Sequence, residues 1–320
     1  MKHMIHAWKA GALMRALLPV FMVVSSVWAT GAGAEPAKPL QRGYLVILGG
    51  GKAPADAEAV VKNARTPKEL ALAAGYPRVV ESASVKGLNP GFFIAVAGAC
   101  ASKRAAEEAR DVLGFLSLDG VYLREVQVPE EQLKDCPRLQ PAELGNFDPS
   151  SFRVVKKAPL DTARPTLTWV IRKTRPKGGC DIFDVAVQAG DTVLAHERFE
   201  ATGCNLPLGR HTSWHEVSIV EVASARFVRL VYRAEWHDNG STTHKLLDFA
   251  CGGLSEVAEI GDRHDDFVEE ISPVEGRSPR EALRMRWRHS PCYNCRPDNE
   301  VLLYERSAEC RYTAKEDSGG

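Results

Sequence analysis

His289, Cys292, Cys295 and Cys310 are residue types that hold zinc, and Cys292-Tyr293-Asn294-Cys295 has C-x-x-C spacing. A redox dithiol needs such a pair at a helix N-terminus, where the thiol pKa is lowered. Here Ser290-Pro291 precedes it and Arg296-Pro297 follows, which is loop composition. Haem attachment would need histidine where Arg296 stands. The chain has eight cysteines, Cys100, Cys136, Cys180, Cys204, Cys251, Cys292, Cys295 and Cys310. An even count in an exported chain reads as disulfides, and that outweighs zinc. The simplest pairing joins Cys100 to Cys136, Cys180 to Cys204, and the last four among themselves. No metal or cofactor is predicted.

Other clusters carry weaker signals. His211, Trp214, His215, Trp236, His237 and His244 are dense in one stretch. Asp238-Asn239-Gly240 is a hairpin tip that would bring His237 and His244 face to face. Clustering of His215, His237 and His244 with acids would favour a metal or hydrolytic site, and dispersal would remove it. Gly49-Gly50-Gly51-Lys52 resembles a phosphate loop only superficially. The required first glycine falls at Val46, and Ala53 replaces the Ser/Thr. Arg284-Met285-Arg286-Trp287-Arg288 alternates, so its arginines share a solvated sheet face. No G-x-S-x-G elbow is present.

These residues must be positioned by about two domains, the number 320 residues accommodate. Apolar and charged fractions of 44% and 26% are those of a globular protein. Lys plus Arg and Asp plus Glu balance at 41 each, so no basic field attracts nucleic acid, and none is predicted as partner. Lys2, Lys9 and Arg15 precede the apolar run Ala16 to Val27, and Ala32-Gly33-Ala34 supplies a small-x-small cleavage site. Residues 1–34 therefore read as a signal peptide and the chain as exported, to a periplasm or cell surface. Membrane contact follows only if that segment is left uncleaved.

Two βα stretches follow. Tyr44 to Leu48 is a continuous apolar run that fits a buried strand, and Ala57, Val60, Val61 and Ala64 then recur at helical spacing. Thr66-Pro67 opens a second helical piece through Leu70 and Leu72, with Gly75 placed to end it. Val79-Val80 is a short strand. Phe92 to Ala97 is the next, Ser102 caps a helix lined by Ala105, Ala109, Val112, Leu113 and Leu116, and Val121 to Val128 closes the unit. Residues 129–150, with four prolines and no periodicity, read as a linker. Residues 151–320 carry recurrent strand-like runs between turns such as Gly190-Asp191, with no helix of normal length. The fold class is thus an α+β domain followed by an all-β, disulfide-stapled domain, a sandwich or curved meander.

The stretch 43–128 resembles the SPOR (sporulation-related repeat) domain. Tyr44-Leu45-Val46-Ile47-Leu48-Gly49 matches the aromatic-x-V-x-L-G strand of that family's first half. Phe93-Ile94-Ala95-Val96-Ala97-Gly98, with the Ser102 to Leu113 helix, resembles the second, and Val121-Tyr122-Leu123-Arg124 its closing strand. The resemblance implies a ferredoxin-like, four-stranded antiparallel sheet backed by helices, binding peptidoglycan glycan strands on the exposed sheet face. Tyr44, Phe93, Tyr122 and Arg124 are the ligand-binding residues it implies. Ile47, Gly50 and Gly51 stand where the family has glutamine and a Ser-Phe pair, and Ala99 and Cys100 where it has Pro-Phe.

The functional expectation is a non-enzymatic binding protein of the cell envelope. The alternatives are an exported hydrolase or inhibitor with its activity in the β-rich half, or a purely structural component. No protein partner is predicted for the β-rich half.

Overall fold

The computed structural model describes residues 39–177, 179–201, 211–236, 239–261, 267–289 and 298–317. The signal segment, Cys204, His237, Cys292 and Cys295 lie outside these residues. In chain order the first region runs β1 (Leu40–Gly51), α1 (Pro54–Asn63), β2 (Leu70–Ala71), β3 (Arg78–Glu81), β4 (Phe93–Cys100), α2 (Lys103–Leu116), β5 (Tyr122–Pro129) and β6 (Arg138–Leu139). Its main sheet has the order β3-β4-β1-β5, with each pair antiparallel. The expected α+β class is therefore correct, and the helices lie on one face.

The local chemistry explains these elements. Pro54 occupies the first turn of α1, where its missing N–H costs nothing. The Ser102 side chain accepts from the Ala105 amide and starts α2. Ala106, Ala109, Val112 and Leu113 form the buried stripe of α2, each Val or Leu contributing roughly 1.5–3 kcal/mol of burial. The glycines after Leu48 close β1 against β4. A Cβ at Gly50 would sit 2.1 Å from the Phe93 carbonyl oxygen, so only glycine permits this approach.

Two expectations need correction. Residues 66–72 are not helical: Leu70 pairs with Leu139 and Ala71 with Arg138 in a two-stranded ribbon. Leu70 is buried in the core, and Pro67 accepts from its amide in a turn. Tertiary pairing thus overrides a weak local helical pattern. Residues 129–150, expected as a linker, are docked along the surface. They hold a 3-10 turn at Glu130–Asp135 and β6, and the Ala142 amide donates to the Val193 carbonyl.

Among the described residues, the β-rich half forms three successive four-stranded meanders. They are β7 (Arg153–Pro159) to β10 (Thr192–Glu200) through β8 (Leu167–Thr174) and β9 (Ile182–Ala189); β11 (His211–Val222), β12 (Ala225–Trp236), β13 (Asn239–Ala250) and β14 (Gly253–Ile260); and β15 (Phe267–Pro273), β16 (Ala282–His289), β17 (Asp298–Arg306) and β18 (Tyr312–Glu316). The middle sheet is buried on both faces. Val228, Leu230, Leu247 and Phe249 join Trp169, Ile171 and Val185 of the first meander, whereas Phe227, Leu246 and Ala258 join Leu283, Met285 and Tyr304 of the third.

Residues 39–320 form one compact unit. α2 lies over one end of the stack, and its stripe shares a core with the first two meanders. Phe115 stacks on Phe249 at 5.5 Å, Arg164 donates to the Gly114 carbonyl at 2.7 Å, and buried Asp111 accepts from the Thr166 hydroxyl at 2.6 Å. Cys100 pairs with Cys136, as neighbour pairing predicts, and Cys251 pairs with Cys310. Cys180 is also disulfide-bonded. These bonds point to an oxidising, extracytoplasmic environment. No helix among the described residues is long and apolar enough to cross a membrane.

Candidate functional site

The four residues singled out on the sheet divide between its faces. Tyr122 pairs with Ile47 and Arg124 with Leu45, which puts both on the face away from the helices. The Arg124 guanidinium lies 5.3 Å from the Tyr122 ring centre. Tyr44 instead packs with the helix-side core. Phe93, one residue before inward Ile94, points by alternation to the helix side with Ala95 and Ala97. The structure thus brings Tyr122 and Arg124 together and separates Tyr44 and Phe93 from them.

The face away from the helices is partly covered by residues 82–91, which leave β3 at one sheet edge and reach β5 at the other. The Gln127 amide donates to the Lys86 carbonyl at 2.9 Å, and Val85 and Leu88 pack on Leu45, Ile47, Ile94 and Val96. The base of this strap is closed by reciprocal bonds between Ser82 and Phe92. A depression of about 280 Å³ remains beside it. Ile47 and Ile94 line it with Ser82, Asn89 and Arg124. Phe92 and Tyr122, also in its lining, are 42% and 36% exposed. On the other side of the strap a 530 Å³ groove holds Tyr76, whose ring lies 4.5 Å from the Arg78 guanidinium. Burial pushes the Tyr76 phenol pKa up.

A second cleft, of about 450 Å³, was not foreseen. Its floor is β10 from Leu194 to His196, one wall is the docked segment 140–143, and the other is Glu69 with the β13–β14 turn. Asp184, fully buried on β9, accepts from Arg172 Nη1 at 2.6 Å, and its other oxygen lies 3.2 Å from His196 Nδ1. Phe147 stacks on the His196 ring at 4.8 Å. Glu69 is 3% exposed, and its Oε1 accepts no hydrogen bond. Burial raises the pKa of its carboxyl. The Gln140 amide donates to the Glu69 carbonyl at 2.8 Å and fixes the backbone here.

A third cleft, of about 430 Å³, is lined by Arg164, Arg280 and Arg306. Arg164 and Arg280 are committed to structure. Arg280 pairs with buried Asp248, donates to the Leu160 carbonyl at 3.0 Å, and sits between the Phe115 and Phe227 rings. Burial lowers its pKa to about 10, still charged at neutrality. Tyr312 donates its hydroxyl to Asp248 or the Arg280 carbonyl, 2.8 and 2.9 Å away.

The weighed zinc set loses Cys310 to its disulfide with Cys251. No group of three His, Cys, Asp or Glu among the described residues could hold a metal ion. Of the histidine cluster, His244 is buried beside Arg229, 3.1 Å away, while the side chain of His215 lies outside the described residues. In the basic strand Met285 is buried between exposed Arg284 and Arg286, which pair with Asp317 and Glu270. Asp184 and Asp248 had a readable signal: each interrupts an apolar strand run, Ile182 to Val187 and Leu246 to Ala250. Glu69 and His196 had none. No family model matches the chain, and no curated protein matches it.

Proposed function

We propose that this is a non-enzymatic extracytoplasmic binding protein of the cell envelope, periplasmic or cell-surface, whose first region binds glycan strands of peptidoglycan through the depression beside the strap. The observation that carries this reading is the joint exposure of Phe92 and Tyr122 at a concavity that also holds Arg124, Asn89 and Ser82. Sugar rings pack on aromatic faces while their hydroxyls need convergent donors and acceptors, and this lining has both. The resemblance of residues 43–128 to the SPOR domain supports the same ligand. The strap shortens the available surface, so the site accommodates a short segment of glycan rather than a strand lying across the whole sheet.

The test is retention of the protein on purified sacculi, intact and stripped of stem peptides. Retention should be stronger on stripped glycan and lost in Tyr122→Ala and Arg124→Ala, while Tyr44→Phe, on the opposite face, retains it. Equal retention of wild type and the Tyr122→Ala, Arg124→Ala double variant would refute the reading.

A further inference from the structure

We infer that the cleft between β10, residues 140–143 and the β13–β14 turn binds a small ligand carrying a primary ammonium group, which docks on the buried carboxylate of Glu69. This site is separate from the sheet-face depression and shares no lining residue with it, so either reading can fail without the other.

Glu69 presents an unfilled acceptor. Glu69 Oε1 is buried and accepts no hydrogen bond. Lys68 Nζ lies 3.9 Å away, beyond hydrogen-bond reach, on a side chain that is largely in solvent. A buried acceptor left unmade is costly, and more so when charged. The fold nevertheless makes room for it: a Cβ at Gly252 would stand 2.0 Å from Glu69 Oε1. Gly252 has φ +76°, a conformation that also favours glycine. The turn packs against the carboxylate, and Glu69 and Gly252 both line the cleft.

The surroundings select the ligand's charge. The titratable and charged groups of the lining are Lys68 beside Glu69, Glu143 on the docked segment, and His196 on β10, whose Nδ1 faces Asp184. The β13–β14 turn contributes none. Two carboxylates face one lysine, so an anion would meet net repulsion and a monocation net attraction. An ammonium is a compact charge that can satisfy a single oxygen, whereas a guanidinium fork calls for a bidentate partner. Leu194 and Leu254 give the cleft apolar wall for the body of the ligand. A volume near 450 Å³ suits a molecule of hexose or amino-acid size.

Charge linkage supplies an independent signature. Burial raises the Glu69 pKa, and an adjacent ammonium would pull it back down. Uptake of the amine therefore expels a proton at pH values below the raised pKa, and affinity rises with pH until Glu69 is fully ionised.

The test is calorimetric titration of the purified protein with glucosamine and with Nα-acetyl-lysine amide, which separate an amino sugar from a peptide-borne amine. Glucose and Nα-acetyl-norleucine amide are their uncharged counterparts. Saturable binding of one amine is expected, with its neutral counterpart at least tenfold weaker. Glu69→Gln, close to isosteric, should lower affinity at least tenfold. If that variant fails to fold, the wild-type affinity must still rise from about pH 4.5 to 7. Absence of saturable binding by both amines, equal binding of the neutral counterparts, wild-type affinity in Glu69→Gln, or a flat pH profile would each overturn the proposal.

Discussion

Replacement of Arg172 by methionine isolates the buried charge pair beneath the second cleft. Arg172 and Asp184 are register partners on β8 and β9, joined at 2.6 Å, with Asp184 fully buried. Two unit charges about 4 Å apart attract by roughly 4 kcal/mol at an effective dielectric constant near 20. The substitution removes that attraction while the desolvated carboxylate stays behind, with His196 Nδ1 3.2 Å away. Breaking such a pair costs about 3–5 kcal/mol, a large part of a typical net stability of about 5–15 kcal/mol. A cooperative unit of about 280 residues gains roughly 0.6 kcal/mol/K of unfolding entropy, so the melting temperature should fall by about 7 °C. Equilibrium unfolding in urea, followed by tryptophan fluorescence, gives the free energy directly. The control is the Arg172→Met, Asp184→Leu double variant. It replaces both charges by apolar groups and should recover most of the loss. A single variant within about 1 kcal/mol of wild type would refute the assignment of Asp184 as a charge that depends on Arg172.

Three further outcomes are expected. Removing the Cys100–Cys136 bond by paired serine substitution reopens a 36-residue separation. The chain-entropy relation puts the loss at about 4 kcal/mol, and a change below about 1 kcal/mol in denaturant titration would contradict it. Gly252→Ala forces a left-handed alanine against the Glu69 carboxylate, costing about 1–2 kcal/mol from the backbone alone. Adding Glu69→Ala should relieve only the steric remainder, and an unaltered unfolding midpoint for Gly252→Ala would be the contrary result. The raised Glu69 pKa also sets a pH dependence. The native state holds a proton that the unfolded chain releases first, so this group's stability contribution falls as pH rises from the unfolded value through the folded one. Glu69→Gln should therefore melt with wild type in acid below about pH 4 and above it near neutrality; a pH-independent difference would count against the assignment.

Much of the fold was legible because it is written in periodicity. Strand runs at Leu167, Ile182, Phe227 and Ala282 alternate or stay apolar as their sheets require, and the strand-helix-strand texture of 91–128 is borne out in β4, α2 and β5. Periodicity reports which face of an element is buried, not what buries it. Leu70 and Ala71 form a strand because Leu139 and Arg138 are there to pair with them, far along the chain. Glu69 and His196 line one cleft for the same reason: the β9–β10 hairpin sets His196 beside Asp184, and no local pattern connects that hairpin to Glu69. Charge placement fills part of that gap. An aspartate inside an apolar strand run cannot be buried without a cation, and both Asp184 and Asp248 acquired an arginine.

The sheet face makes the stronger case that the missing information was implicit. A one-sided sheet alternates apolar and polar along its strands, whereas a sheet covered on both faces reads as a continuous apolar run. Residues 44–48 are such a run: Tyr44 and Val46 lie in the helix-side core, and Leu45 and Ile47 in the cluster under the strap. β4 has the same character, with Ile94 and Val96 opposite Ala95 and Ala97. An open face with aromatic platforms is therefore inconsistent with the apolar runs of these strands. Something apolar had to lie on that face, and Val85 and Leu88, otherwise unassigned loop residues between β3 and β4, were the available side chains. Ile47 lies in the same covered cluster. A glutamine there would be buried beneath the strap at the cost of an unpaired amide, so the strap and the isoleucine belong to one solution. What survives as a candidate ligand surface is the margin that this cover leaves exposed, where Phe92, Tyr122 and Arg124 meet.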